Sequence, residues 1–304
     1  MKKLLIVIIS LVFITGCSLE EKIDLNIVKH ESQLIELVNY KNDDFEMRIP
    51  RGWLIESGGD NFNYALRIYD PNSNDIQMFV VLKNPDNSIQ LKEPIIRSFF
   101  TNFNIYFENK YSDVNIPKLN DVEIIEEFNT HSVFEKTAID DRSLRIKFFN
   151  NDISQEALVS ATLVRIDNIY NVYNIFGIVC PSDELINYQK ILSESISSIK
   201  FNDSFINKLS ASNGVETEIK KNLNAIVKNL YSSYNTSWSY RQREYDYNTQ
   251  REYDSNNNYI RVYDSKTGNI YKAYKDFMKK YHGSRYKRVS ESMYADPVYG
   301  YIKE

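Results

Sequence analysis

Cysteine, histidine, tryptophan, glycine and proline are all scarce in this chain of 304 residues: 2 Cys, 3 His, 2 Trp, 9 Gly and 7 Pro. Two cysteines cannot build the disulfide framework of a small secreted scaffold. Neither Gly-x-Gly-x-x-Gly, a P-loop nor a Gly-x-Ser-x-Gly elbow occurs, so dinucleotide, nucleoside-triphosphate and serine-hydrolase chemistry lack their sequence marks. His30, His131 and His282 stand far apart, and none has a second His, Cys or carboxylate at a metal-ligand spacing such as His-Glu-x-x-His. The adjacent pairs Glu126-Glu127 and Asp140-Asp141 face opposite sides of a strand and do not resemble an acid-base couple. The expectation is a non-enzymatic protein with no catalytic residue, no cofactor and no metal. What is plentiful is aromatic: 23 Tyr and 16 Phe in a chain of otherwise ordinary apolar (42%) and charged (26%) content.

The first residues read as an export signal. Lys2 and Lys3 precede the apolar run Leu4–Phe13, interrupted only by Ser10, and Ile14-Thr15-Gly16-Cys17 closes it. That run is too short for a spanning helix, which needs about 20 apolar residues. Ile-Thr-Gly-Cys resembles the lipobox of bacterial lipoproteins. The resemblance implies a signal peptide over 1–16, cleavage before Cys17, and a lipid on that cysteine as membrane anchor. The mature chain would then hold 288 residues with 35 basic and 41 acidic side chains, net −6. Its place is the outer face of the plasma membrane, extracytoplasmic. Cys180, in the apolar run Ile175–Cys180 without a neighbouring His or Lys, reads as a buried, inert thiol.

Residues 17–33 are polar, with Glu20, Glu21 and Lys22, and read as a tether. Period-two runs come next: 34–40, 45–49, 64–69 and 76–82, then 122–128, 132–138, 144–148, 157–166 and 169–179. Between them Ile95, Phe99, Phe103 and Phe107 recur every four residues, a helix, and Pro181 opens a second with Leu185, Leu192, Ile196 and Ile199. The fold class expected is α+β, a mostly antiparallel sheet flanked by helices. Asp43-Asp44-Phe45-Glu46-Met47-Arg48-Ile49-Pro50-Arg51-Gly52-Trp53 resembles the opening of PsbP-like domains. The resemblance covers about residues 34–200. It implies a fold whose members mostly bind or stabilise protein partners, and it carries over no site residue. Trp53 is expected in the core.

A turn-prone stretch, 201–214, is expected to be a linker, with 34–200 folding independently of the C-terminal residues. Residues 215–304 read as a smaller tyrosine-rich, basic α+β C-terminal domain. From 214 on there are 16 basic and 11 acidic side chains and fifteen tyrosines, whereas 17–213 hold 19 and 30. Gln242-Arg243-Glu244-Tyr245-Asp246 recurs as Gln250-Arg251-Glu252-Tyr253-Asp254, which is compatible with neighbouring strands, two copies being too few for a repeat fold. Gly268 between Tyr259–Tyr263 and Asn269–Tyr271 marks a hairpin, with Asp264 as its punctuation rather than a calcium ligand. The run Arg261–Ala273, with Phe277, Tyr281, Gly300-Tyr301-Ile302 and the upstream Trp238, Arg241 and Gln242, resembles a C-terminal segment of clostridial lipoproteins of unknown function.

Tyrosine and arginine together make rigid contact surfaces. Trp238, Tyr240, Arg241 and Arg243 are therefore the candidate contact surface, with Trp238 partly exposed. A net +5 interspersed with acids is no basic stripe, so nucleic acid is not an expected partner. The reading is a lipid-anchored protein-interaction or envelope-maintenance module, its partner an envelope protein or a cell-wall component. The alternative is a ligand-binding lipoprotein that recognises a cell-wall glycan or peptide through Tyr and Trp. A concave aromatic cleft with converging polar groups would favour the alternative, and a flat patch rimmed by charge a protein partner.

Overall fold

Strands that are apolar on both faces need cover on both faces, and that requirement organises the chain. The computed structural model describes residues 25–85, 91, 93, 95–107, 111, 113–129, 138–150, 152–241, 243–294 and 296–304. In chain order come β1 (Asn26–Lys29), a 3-10 turn at Glu31–Gln33, β2 (Leu37–Lys41), β3 (Phe45–Pro50), β4 (Leu54–Asp60), β5 (Asn63–Asp70) and β6 (Ser73–Lys83). Two short helices come next, α1 (Ile96–Thr101) and α2 (Phe103–Phe107), then β7 (Asn120–Asn129), β8 (Ala138–Asn150), β9 (Ile153–Ile166) and β10 (Ile169–Pro181). The rest is α3 (Leu185–Ser197), β11 (Lys200–Phe201), α4 (Asp203–Lys208), α5 (Gly214–Arg241), α6 (Arg243–Asn256), β12 (Tyr259–Asp264), β13 (Ile270–Tyr274), α7 (Phe277–Lys280), β14 (Tyr286–Arg288), a 3-10 turn at Glu291–Met293, and β15 (Val298–Lys303). The expected α+β class with mostly antiparallel pairing is what the protein has. Among the described residues no helix is long and apolar enough to cross a membrane.

Seven antiparallel strands form the main sheet, in the order β4-β5-β6-β10-β9-β8-β7. Along β6, Met78, Val80 and Leu82 enter one core while Phe79 and Val81 enter the other. The second face is covered by Ile96, Phe99, Phe100 and Phe103 from α1 and α2, so the four-residue spacing read from the sequence is the buried stripe of a helical pair. The first face is covered by Leu185, Leu192 and Ile196 of α3 and by Val215, Ile219, Leu223, Ile226 and Val227 of α5. Trp53 lies in this first core, 9% exposed. Cys180 is fully buried there, and burial drives its thiol well above the ordinary range.

One irregularity keeps both faces in register. Opposite β9, Tyr173 pairs with Thr162 but Phe176 pairs with Ser160, so β10 carries an extra residue. Asn174 takes it up in the left-handed region, at φ 51, which Asn tolerates better than most residues. The bulge switches the alternation: Tyr173 enters the first core before it, and Phe176, Ile178 and Cys180 enter the same core after it. Three residues on, Gly177 sits opposite Phe79, whose ring lies 2.3 Å from where a Cβ would stand. That ring fills the space above the glycine.

Two sequence boundaries do not survive. The expected linker 201–214 is folded: β11 pairs with β3, and Phe205 of α4 and Leu209 are buried in the first core. Helix α5 is anchored to the sheet at its start, where Asn213 accepts from the Glu216 N–H and Glu216 accepts from the Ser212 N–H and hydroxyl. Lys83 at the end of β6 closes on the same carboxylate at 2.8 Å. Helix α5 therefore belongs to the first core at least as far as Val227, on the face that it shares with α3. The segment expected as a tether, 17–33, also overlaps folded chain. Asn26–Lys29 form β1, paired with β15, and His30 is buried at 3% exposure.

The C-terminal sheet has the order β1-β15-β13-β12-β14, with β13 and β15 parallel. Its small core contains Val262, Tyr271, Ala273, Phe277, Tyr286 and Ile302, with Tyr274, Tyr281 and Tyr299 packed against it. Tyrosine does the work of leucine there. Gly268 at φ 77 turns the hairpin as expected, and Asp264 is spent on it, accepting from the Lys266 N–H, the Thr267 hydroxyl and Arg285. The repeated pentads are not strands: residues 243–256 are helix α6. Tyr, Arg, Glu and Asp alternate with no apolar period to separate the two structures.

A chain ending at Lys208 should lose cooperative unfolding, since it strips five apolar side chains of α5 from the first core, each worth about 1.5–3 kcal/mol when buried. Urea unfolding checks this; a single transition matching that of the full chain would refute it. Asn174→Val should cost about 1–2 kcal/mol through the left-handed backbone, whereas Asn174→Gly should be nearly neutral, as read from paired thermal melts.

Candidate functional site

Alternation along β12 and β13 sends Val262, Tyr271 and Ala273 into the small core and turns Arg261 and Lys272 the other way, toward α6. Both cations are buried, at 1% and 2% exposure. Such charges need partners, and α6 supplies them from one face, since Gln250 and Asp254 are four residues apart. Arg261 donates through Nε to Asp254 Oδ2 at 2.6 Å, through Nη2 to Gln250 Oε1, and through Nη1 to the Tyr294 carbonyl at 3.0 Å. Asp254 Oδ1 accepts no hydrogen bond; Lys272 Nζ neutralises it as an ion pair at 3.2 Å. The Lys272 ammonium also lies 4.7 Å above the Tyr253 ring.

The cluster continues into the main body. Gln250 Nε2 donates to the Asp183 carbonyl at 3.1 Å, and Asn187 Oδ1 accepts from the Val298 N–H at 2.9 Å. Ser32 N–H donates to His30 Nδ1, which leaves the proton on Nε2 to donate to Glu184 Oε2 at 3.1 Å. His30 stacks on Tyr301 with centroids 5.8 Å apart. Burial alone would raise Glu184, but hydrogen bonds from His30 and Asn187 hold it below the ordinary carboxylate range. Asp183 behaves in the opposite way. Its backbone sits at φ 75, and its Oδ2 is buried without a hydrogen-bond partner. Burial, and then the charge of Glu184, push its carboxyl up to about 7 against the pull of Lys272. Lys272 and Arg261 already face Glu184 and Asp254, so a third anion is not matched and Asp183 keeps its proton to near-neutral pH.

Over the Asp254–Arg261 pair lies a cleft of about 470 Å³. Tyr247, Arg251 and Ser255 of α6 form one wall, and Tyr259, Ile260, Lys275, Arg288, Glu291 and Tyr294 form much of the rest. Tyr247 meets Tyr294 edge-on at 5.0 Å, and Arg251 Nη1 donates to the Tyr247 hydroxyl at 2.9 Å. Burial raises Tyr294 above the ordinary phenol range. Arg251, Lys275 and Arg288 are exposed and make no ion pair among the described residues. The arrangement suits an anion beside a flat apolar face. Among the described residues no group of three or more His, Cys, Asp or Glu could hold a metal ion. A second cleft of about 510 Å³, lined by Phe107, Tyr111, Val114, Ile116 and Glu56, is more apolar, and its Asn104 is spent on the Leu119 backbone and Asn120.

Of the residues nominated from sequence, Cys17 and His131 lie outside the described residues, and the side chains of Trp238, Tyr240, Arg241 and Arg243 lie outside the described side chains. The backbone of 214–241 is helical. Sequence reading missed His30, Asp183, Glu184, Gln250, Asp254, Arg261 and Lys272. The available signal was the second pentad, whose Gln and Asp share a face once the segment is helical.

A carboxyl whose folded pKa is raised contributes stability fully present below its unfolded pKa, near 4, and lost as pH rises toward 7. Asp183→Asn keeps the shape and a residue that tolerates positive φ. Its melting temperature should approach that of the parent near pH 4 and exceed it by pH 8, the excess growing across that window; a gap of one size at both would show that the carboxyl stays ionised. Compared with known proteins, the chain matches no family model and no curated sequence.

Proposed function

We propose that this is a lipid-anchored extracytoplasmic lipoprotein with a PsbP-like body, serving as a non-enzymatic interaction or envelope-maintenance module at the outer face of the plasma membrane. The observation that carries the reading is the sequence Lys2-Lys3, the apolar run and Ile14-Thr15-Gly16-Cys17. The antiparallel sheet between two helical layers supports the PsbP-like part. In this reading the body includes α5 at least to Val227, and the tyrosine-rich basic unit is closed by β1.

The concave cleft favours the second reading, a ligand-binding lipoprotein. Its tyrosines and cations converge as a site for a cell-wall glycan or peptide would require. In cells, Cys17→Ala should move the protein from the membrane fraction to the soluble one and abolish lipid labelling. Full retention in membranes would refute the anchor. Crosslinking on intact cells then identifies what the anchored protein touches, protein or wall polymer.

A further inference from the structure

The sheet's geometry fixes which of its ends meets the membrane. β1 enters at Asn26, opposite Lys303 at the end of β15. Because β15 runs parallel to β13, and β12 pairs Tyr259 with Tyr274, the same end holds Tyr274, Lys275 and Tyr259. β14 runs toward this end as well and delivers Arg288 into the cleft beside Lys275 and Arg251. The hairpin turn at Gly268 and the Asp264–Arg285 pair lie at the far end.

Charge is divided unevenly among the parts of the chain. Residues 257–304 carry ten Lys or Arg and five Asp or Glu, net +5, whereas 214–256 carry six of each. Only Arg261 and Lys272 of those ten cations are buried. The body, 17–213, is net −11. Lys279 and Lys280 pair with Asp276 and Glu304 on the surface, where such pairs bind weakly and leave the ammonium groups open to other anions.

Distance adds a constraint, which rests on the lipid anchor at Cys17. From Cys17 to Leu25 the chain can reach about 28 Å at most when extended, and five strands span only about 19 Å. Every strand of this sheet is therefore held within reach of the bilayer, and the end through which the chain enters is the nearest part. A molecule with an acidic body and a basic C-terminal unit is turned basic side down by an anionic surface.

We propose that the tether end of the C-terminal sheet docks on the anionic phospholipid surface that holds the anchor, with Arg251, Lys275 and Arg288 of the cleft receiving headgroup phosphates. The protein then stands on the membrane in one orientation, its acidic body facing outward.

The test uses the chain from Ser18 onward, which keeps every described residue and has no lipid site, so failure of the anchor and failure of docking are separable. It should co-sediment with phosphatidylglycerol vesicles at low ionic strength, not with phosphatidylcholine vesicles. Binding should vanish in about 1 M salt, where the Debye length is about 3 Å. The exposed double substitution Lys275→Glu and Arg288→Glu should weaken it at least about tenfold, given the contribution of each basic residue near a charged surface, with circular dichroism and melting unchanged. No binding to phosphatidylglycerol, binding undiminished in the double variant, or retention by purified peptidoglycan fragments but not by vesicles would each overturn the proposal.

Discussion

The central strands of the main sheet have no polar face, and most of the architecture stems from that. Central strands such as β10, with Val172, Ile175 and Val179 on one side and Tyr173, Phe176 and Ile178 on the other, cannot leave either side in water. One side is satisfied locally by α1 and α2, which fall between β6 and β7 in the chain. The other needs two helices, α3 and the first half of α5. Recruiting α5 draws the whole C-terminal part onto the body, so the two cannot be separate beads on a string. The Asn174 bulge belongs to the same constraint: it lets one long strand serve both cores without a mismatch.

Where the C-terminal sheet meets the body, the logic is electrostatic rather than apolar. Arg261 and Lys272 are buried, and Asp254 answers both. Buried ion pairs seldom add much net stability, because desolvation offsets attraction, but they are unforgiving of misplacement. A sheet that slid by one residue against α6 would bury two unpaired cations. The junction therefore defines geometry, and Asn187, Gln250 and the His30–Glu184 contact extend that definition to α3 and to the segment after β1.

Local signals in the sequence were legible, and distant ones were not. Phe99, Phe103 and Phe107 announced a helix because spacing of four is a property of the helix itself, and Gly268 announced its hairpin because few other residues adopt its φ. The α+β class was readable from the alternation of apolar residues. The pentad at 250–254 was opaque: its side chains are all polar or amphipathic, so neither period shows, and its partners Arg261 and Lys272 become visible only when the segment coils. Residues 201–214 looked like a linker because Asn, Ser and Asp dominate, yet Phe201, Phe205 and Leu209 bury that stretch in the core. The seat of β1 was beyond reach for a different reason. Nothing in Asn26–Lys29 names a partner at the opposite terminus. The cleft inherits that opacity, since its walls come from α6, β12, the end of β13 and the segment beyond β14.

That pairing of the first strand with the last has a kinetic side. β1 occupies the edge next to β15, so nearly the whole chain must be made before its partner exists. Contacts of such sequence separation are slow to form. Until they do, Ile27 and Val28, still about two-fifths exposed when paired, stand on an open strand edge of the kind that invites pairing with other chains. The earliest strand of the fold is thus the last to find its place. That edge stays open until residues 298–303 arrive to close the sheet.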